Sequence, residues 1–190
     1  DKKEWTIDYH VIPGKPSGAE IWDALDAYLL GEFTNAHGKT LRIEATAIDT
    51  GGHFTHDVYA YVRRAKARRV IACKGASTQG RIILGKPSHQ DVNWRGQTIK
   101  KGVALYLVGT DTAKHLLYGR MRLTSAGHGY VHVPKELSDT DEFEQMTACR
   151  LLPAVVQGKH VMRWITPAGK REEGGDGMVY AYAVACYLGI

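Results

Sequence analysis

The sequence contains little cysteine, and its three cysteines are widely separated. Cys73, Cys149 and Cys186 form no CxxC pair, so the ligand spacing of a common zinc site is missing. Cys73 falls within an apolar strand pattern and Cys186 within an apolar helix pattern. We therefore expect buried, reduced thiols rather than disulfides or a zinc site.

Long apolar runs and nucleotide-binding motifs are also missing. No apolar run is long enough to span a bilayer. The first residues, DKKEWTIDYHVIPG, do not resemble a signal peptide because their apolar part is short and broken by charge. There is no Walker A sequence, and no GxGxxG follows a predicted strand, so neither route to ATP or a dinucleotide is indicated. These absences predict a cytosolic protein without a membrane partner.

The composition is that of an ordinary globular protein with a moderate basic excess. Of the 190 residues, 44% are hydrophobic and 24% are charged, which favours a single domain over residues 1–190. The formal net charge of +5 favours a polyanionic partner without requiring one.

Basic residues concentrate at the end of one predicted helix, in a predicted loop and in a predicted hairpin. Helix-dipole compensation and solvation explain the helix-end group about as well as nucleic-acid contact does. The candidate DNA contacts are Arg63, Arg64 and Lys66 at the helix end, Lys100 and Lys101 in the loop, and Arg150, Lys159 and Arg163 in the hairpin.

Residues 41–53 (LRIEATAIDTGGH) read as a buried strand that ends at Asp49 and turns into a helix. Open α/β sheets bind ligands at the carboxyl ends of their strands, so a carboxylate in that position indicates a site. Asp49 alternatively caps the helix or fixes the turn. The helix is predicted over about 54–69 and the next strand over 70–74, which gives parallel strands with a right-handed crossover.

The next apolar strand repeats this placement of an aspartate. Residues 103–108 predict a third buried strand, and Asp111 follows it at the start of a helix over 112–122. For Asp111 a helix cap is the favoured interpretation. Lys74 ends the strand between these two and is a candidate phosphate contact, although a lysine at a strand end is often only surface charge.

The remaining patterns predict further elements along the chain. They are a strand over 5–13, a helix after a Ser17–Glu20 capping box, a loop or exposed hairpin over 76–102, a short strand over 130–134, a short acidic helix over 140–148, a hairpin over 149–157 and 160–166, and a buried apolar helix that follows Asp176.

Asp49 and Asp176 fit the chemistry of a two-metal nuclease. Such sites need carboxylates from several elements, because two cations about 3.5–4 Å apart must be neutralised while they clamp the attacking and leaving oxygens of a phosphodiester. Hard cations such as Mg²⁺ and Mn²⁺ prefer oxygen ligands. Asp176 is equally suited to cap its helix. His53 and His56 lie three residues apart on one helix, a spacing that suits binding of a metal or a phosphate, but exposed histidines near a helix start are more often simply polar.

Five segments, in this order, resemble the C-terminal nuclease domain of the large terminase subunit of lambda-type tailed bacteriophages. They are ATAIDTGGHFTHDVYAYV, RRVIACKGAS, ALYLVGTDTAKHLLYGRMRL, GYVHVP and GGDGMVYAYAVA. The most specific pieces are AIDTGGH, VGTDTAKHLLYGRMRL and the aspartate-containing entry to the last helix. The resemblance covers nearly the whole chain.

The resemblance implies a metal-dependent endonuclease that cuts concatemeric viral double-stranded DNA during genome packaging. The expected fold is α/β and RNase H-like, a mixed sheet with flanking helices. The implied metals are Mg²⁺ or Mn²⁺, held by Asp49 and Asp176. The role of Lys74 at the scissile phosphate is a hypothesis from its place at a strand end, and the resemblance does not imply it. The implied partners are an upstream ATPase domain of the same polypeptide, a portal and a small terminase subunit, in the cytoplasm of the infected bacterial host.

Two departures from the family pattern concern the site. The family's first acid lies on a central first strand, whereas this chain begins near the third strand, so we expect that acid and two strands upstream of residue 1. The approach to Asp176 reads EEGGDG, which is richer in glycine than expected.

Two alternatives to this function remain open from the sequence. One is a non-catalytic module that binds DNA and docks within the packaging motor. The other is a different RNase H-like nuclease, such as a junction resolvase.

Overall fold

Five α-helices and ten β-strands form residues 3–94 and 96–190, the part of the chain that this computed structural model describes. The helices are α1 (Ala19–Leu29), α2 (Thr55–Arg64), α3 (Thr110–Met121), α4 (Asp141–Thr147) and α5 (Glu173–Leu188). The strands are β1 (Glu4–Trp5), β2 (Glu32–Thr34), β3 (Thr40–Arg42), β4 (Thr46–Asp49), β5 (Val70–Gly75), β6 (Ser88–Trp94), β7 (Gln97–Val108), β8 (Val131–His132), β9 (Arg150–Val156) and β10 (Lys159–Ile165).

A four-stranded sheet in the order β4-β5-β7-β6 organises the molecule. Strands β4, β5 and β7 are parallel, and β6 is antiparallel to β7. The carboxyl ends of the three parallel strands therefore meet at one edge of the sheet, which we call the carboxyl edge. The predicted strand-helix-strand unit and the mixed α/β class are confirmed.

Helices cover both faces of this sheet because its parallel strands are apolar on both sides. On one face, α2 buries Val58, Tyr61 and Val62 against Ala72 of β5, and α1 packs there through partly buried Trp22 and Leu25. On the other face, Leu117 of α3 and Val179 and Ala183 of α5 pack against Ile71 and Cys73 of β5. The two faces of β5 thus lie at the centre of two separate hydrophobic clusters.

Two strand predictions near the N-terminus are wrong in extent. Residues 5–13 are mostly outside strands, because only β1 finds a partner, the two-residue β8. Residues 41–49 form two strands instead of one. The first part, β3, pairs antiparallel with β2 around a turn in which the Asn35 side chain accepts hydrogen bonds from the amides of His37 and Lys39. Only the second part, β4, joins the central sheet.

The segment over 76–102 contains more regular structure than its polar sequence indicates. Its second half forms β6 and the start of β7, so the hairpin alternative is confirmed there. Strand β6, SHQDVNW, escapes detection because it lies at the edge of the sheet and buries Val92 against α2, while its other described side chains are exposed or partly exposed.

The expected burial is confirmed for two of the three cysteines. Cys73 and Cys149 are buried, but Cys186 is exposed, because its position on α5 faces away from the sheet, and all three are outside disulfides. Among the residues that the structure describes, no helix is both long and apolar enough to cross a membrane.

The glycine-rich approach to Asp176 has a packing reason. Gly174 and Gly175, at the start of α5, lie against α4, and a Cβ atom at Gly174 would sit 2.9 Å from the carbonyl oxygen of Glu142 and 3.0 Å from Cγ of Met146. A Cβ atom at Gly175 would sit 3.3 Å from the carbonyl oxygen of Gln145. The two glycines therefore allow the backbone of α4 to approach the first turn of α5 closely.

We expect Gly174→Ala to lower the free energy of unfolding by about 1–3 kcal/mol, because the added methyl group has no room beside the α4 backbone. Gly177→Ala is the matched control, since nothing lies within 4 Å of its Cβ position. Alanine there should raise stability by about 0.5–1 kcal/mol through helix propensity. Urea unfolding measures both changes, and equal gains in stability for the two variants would contradict this reading of the α4 contact.

Candidate active site

Asp49 lies at the carboxyl edge, at the last position of β4. It is paired with Cys73 of β5, and its side chain is exposed. The chain then turns sharply: the Gly51 amide donates to Asp49 Oδ1 at 3.0 Å, and the Thr50 hydroxyl donates to the Cys73 carbonyl at 3.0 Å. The turn interpretation of Asp49 is thus correct, and it leaves the carboxylate at a position suited to a ligand.

Asp176 lies inside the first turn of α5 rather than at its cap. The helix starts at Glu173 with Glu172 at the N-cap position, and the Asp176 amide donates to the Glu172 carbonyl at 2.9 Å. The expectation that Asp176 caps this helix is therefore wrong. Because the helix already begins before Asp176, its carboxylate is available for contacts with neighbouring elements.

Asp111 does not cap its helix either. Gly109 holds the N-cap position of α3, and the Asp111 carboxylate accepts a hydrogen bond from the Gly80 amide at 2.8 Å. This bond ties the loop after β5 to α3. Asp111 therefore has a local structural role that its sequence position does not reveal.

Tyr180 joins the two candidate acids. Its hydroxyl, on α5, is hydrogen-bonded to Asp49, and the charges of both Asp49 and Asp176 act on it. Burial first, and then the Asp49 charge, raise the pKa of Tyr180, so its hydroxyl stays protonated as a donor. Tyr180 was not predicted as a site residue, although its spacing of four residues from Asp176 places both on one face of a helix.

Lys114 forms the centre of the charge cluster around Asp176. This lysine of α3 is only 8% exposed. Its Nζ lies 2.9 Å from Glu172 Oε2 and 3.2 Å from Asp176 Oδ1. Neither Lys114 nor Glu172 was predicted from the sequence. The four-residue spacing of Glu172 and Asp176 at a helix start is the signal that relates them.

Their surroundings shift the pKa values of Asp176 and Glu172 in opposite directions. Burial raises the pKa of Asp176, and the Glu172 and Asp49 charges act in the same direction, while Lys114 opposes them. Burial also acts to raise the pKa of Glu172, but hydrogen bonds from Thr166, Cys149 and Lys114 outweigh it, so that pKa lies below its usual value. A half-buried acid with a raised pKa beside a second acid is typical of functional sites, and also of structural ion pairs.

Lys74 lies at the same edge of the sheet as Asp49, but its side chain points to the opposite face. It is exposed on β5, next to Cys73, and side chains alternate along a strand. Lys74 therefore points towards the α2 face, whereas Asp49 and Tyr180 lie on the α5 face. Lys74 makes no hydrogen bond or ion pair with any residue that the structure describes.

The helix-end and loop groups of basic residues lie far from Asp49. Helix α2 leaves the carboxyl edge and runs back for 10 residues, about 15 Å, which takes Arg63, Arg64 and Lys66 to the opposite edge. Asp49 is aligned with Tyr106 of β7 through Cys73 of β5. Lys101 comes before Tyr106 on the same strand, about 17 Å away along it. Arg64 and Lys100 are also paired with acids, Asp26 at 3.6 Å and Asp91 at 2.8 Å.

The hairpin with the third group of basic residues packs against α3, next to the candidate site. Trp164 of β10 donates through Nε1 to His115 of α3 at 2.9 Å, so the Trp164 face of the hairpin packs against α3. The basic residues lie on its other face, because strand register pairs Arg150 with Ile165, Leu152 with Arg163 and Val156 with Lys159. The hairpin therefore presents Arg150, Arg163 and Lys159 together on one exposed face.

The chemistry of the donors fits part of a divalent-metal site. Asp49 and Asp176 offer the oxygen ligands that Mg²⁺ and Mn²⁺ prefer, from two different elements. In residues 3–94 and 96–190, however, no three His, Cys, Asp or Glu side chains gather closely enough to hold a metal ion. His53 and His56 are exposed and outside any such group. Two acids are thus present at the site, and a complete ligand set is not formed by the described residues.

Comparison with known proteins identifies related chains. The chain is 31% identical over 188 residues to the terminase large subunit of Escherichia phage lambda, and 30% identical over 190 residues to that of Enterobacteria phage P21. Each match covers 96% of this chain and 28% of the relative, so the chain spans little more than a quarter of these proteins. No solved structure matches significantly.

A family match extends over the same residues. The family described as the endonuclease domain of the terminase large subunit gpA matches residues 1–190. This match covers the β4 end with Asp49, the start of α5 with Asp176 and the hairpin between them. The chain therefore belongs to the family of terminase large subunit gpA endonuclease domains.

Proposed function

We propose that this chain is a divalent-metal-dependent endonuclease that cuts double-stranded viral DNA during genome packaging. The observation that carries the proposal is the meeting of Asp49 and Asp176 at the carboxyl edge of a parallel sheet, in a chain of an endonuclease family. Ligand sites of open α/β sheets lie at this edge. An RNase H-like arrangement is part of the proposal, and three parallel strands with helices on both faces support it.

In this proposal the chain's own residues hold and orient the reaction components. Asp49 and Asp176 bind Mg²⁺ or Mn²⁺ through carboxylate oxygens, and Tyr180 keeps the Asp49 carboxylate oriented by donating a hydrogen bond. The bound metal ions would supply a nucleophile from water at neutral pH and charge stabilisation at the phosphodiester.

DNA approaches the site along the hairpin. The face that carries Arg150, Arg163 and Lys159 is exposed and lies beside the site, and its three positive charges suit contact with a phosphate backbone. Lys74, whose ammonium is unpaired within the described residues, neutralises a neighbouring phosphate. Arg63, Arg64, Lys66, Lys100 and Lys101 contact DNA only away from the cut, since they lie at the opposite edge of the sheet.

A third carboxylate is proposed to come from polypeptide outside residues 1–190. Within the described residues, β4 pairs on one side only, with β5. An apolar groove of about 820 Å³ lies beside residues 43–45, which lead into β4, and is lined by Met178, Ala181 and Tyr182 of α5. An added strand would satisfy the free edge of β4 and cover this groove.

The partners and the location of this chain are proposed from its family membership. The relatives are named terminase large subunits and are much longer than this chain. We therefore propose an ATPase domain in the same polypeptide, a portal and a small terminase subunit as partners, and action in the cytoplasm of the infected host.

Cleavage of supercoiled plasmid DNA tests this function. The full-length polypeptide should nick or linearise the plasmid with Mn²⁺ or Mg²⁺, and addition of EDTA should abolish cleavage, because two carboxylates alone do not activate water. Ca²⁺ serves as a control for a cation that supports binding. Cleavage that persists in EDTA, or salt-sensitive DNA binding without cleavage under any metal, would overturn the proposal and favour the docking-module alternative.

A further inference from the structure

Lys114 is a buried lysine whose charge is committed to the candidate active site. It is 8% exposed, and its ammonium contacts Glu172 at 2.9 Å and Asp176 at 3.2 Å. A buried ammonium is costly unless it is paired and hydrogen-bonded. The position of the Asp176 carboxylate is therefore coupled to the position of α3.

The base of the hairpin fixes the ammonium from another side. Cys149, just before β9, places Sγ at 3.5 Å from Lys114 Nζ and at 3.0 Å from Glu172 Oε2. The Thr166 hydroxyl, just after β10, lies 3.5 Å from the same sulfur, and the Cys149 amide donates to the Tyr118 hydroxyl at 3.2 Å. Three segments, α3, α5 and the hairpin base, thus converge on one ammonium group.

We propose that Lys114 is a positioning residue that holds the Asp176 carboxylate beside Asp49, and that Glu172 keeps the Lys114 ammonium in place. The inference rests on the proposed function and extends it to residues outside the expected acid pair. Lys114 acts through Asp176 and does not contact the phosphodiester. A lysine that served only the packing of α3 on α5 would not need to contact the candidate metal ligand.

Plasmid cleavage by Lys114→Met and Lys114→Arg separates positioning from packing. With Mn²⁺ present, Lys114→Met should lower kcat about tenfold or more and change KM for DNA by less than about twofold, since the DNA-contacting residues are untouched. Lys114→Arg should recover most of kcat, because a guanidinium group can donate to both carboxylates. Unchanged kcat in Lys114→Met would overturn the proposal.

Titration of Mn²⁺ into the full-length protein without DNA provides a readout besides activity. Lys114→Met should weaken Mn²⁺ binding in calorimetry by about tenfold, because the Asp176 carboxylate is no longer oriented. If the ammonium acts only by repelling cations, its removal would tighten Mn²⁺ binding, and that result would overturn the proposal.

Two further variants complete the test. Glu172→Gln keeps the side-chain volume and leaves Lys114 in place, so it remains informative if Lys114→Met fails to fold; wild-type kcat and Mn²⁺ affinity in Glu172→Gln would contradict the proposal. Lys170→Met is the matched control, since Lys170 also pairs with a glutamate, Glu144 at 2.9 Å, but both are exposed. Failure of the unsubstituted protein to cleave would instead reject the proposed function itself.

Discussion

Asp49→Asn is expected to reduce Mn²⁺-dependent plasmid cleavage by about 10²–10³-fold or more, which is the largest effect of any single substitution in this chain. The amide keeps the size of the side chain, and its oxygen can still accept the Gly51 amide hydrogen bond that shapes the turn. What is lost is the negative charge that a divalent cation requires. Cleavage rates at saturating metal and DNA measure the effect.

Asp111→Asn is the matched control for this substitution. Asp111 also follows a strand of the sheet, but its carboxylate accepts from the Gly80 amide, and an amide oxygen can replace it there. We expect cleavage by Asp111→Asn to stay within about twofold of wild type, within the range of a surface change. Equal losses in the two variants would indicate that folding, and not the charge at Asp49, limits activity.

Asp176→Asn is expected to lower cleavage about 100-fold while improving stability at neutral pH. Because the pKa of Asp176 is raised by burial, the folded state binds its proton more tightly than the unfolded chain does. The stability contributed by this group is therefore greatest at low pH and is lost as the pH rises above about 4, where an unfolded aspartate ionises. Asparagine removes that loss.

The free energy of unfolding, measured by urea titration from pH 3 to pH 8, tests the second half of this prediction. The stability of Asp176→Asn relative to wild type should increase as the pH rises, while its activity stays low. Asp139→Asn, at an exposed residue, is the matched control for the loss of one negative charge. A variant that is both active and unchanged in its pH dependence would remove Asp176 from the site. Loss of function with a gain in stability is the expected signature of a site residue held in an unfavourable environment.

Much of the central sheet was predictable because it depends on local patterns. The apolar runs that form β5 and the second half of β7, and the helical spacing of Val58, Tyr61 and Val62, identify the elements directly. Strand β6 was not predictable in the same way, because an edge strand needs only one buried face and its sequence is mainly polar. The strand over 41–49 was wrong in extent because its first two residues pair with β2 and only Thr46–Asp49 joins the central sheet.

The sequence by itself determined that Asp49 ends a parallel strand, because the buried run, the turn residues and the following helix are all local features. Only the tertiary structure decided what surrounds it. Lys114 and Glu172 are 58 residues apart in the chain, and Asp49 at the end of β4 meets Tyr180 of α5, so no local pattern could bring them together. The packing of α3 and α5 on one face of β5 makes these contacts. Helix α2 runs in the direction opposite to β4 and so carries Arg63, Arg64 and Lys66 away from the site. Only a few turns of helix separate these residues from Asp49 in the sequence.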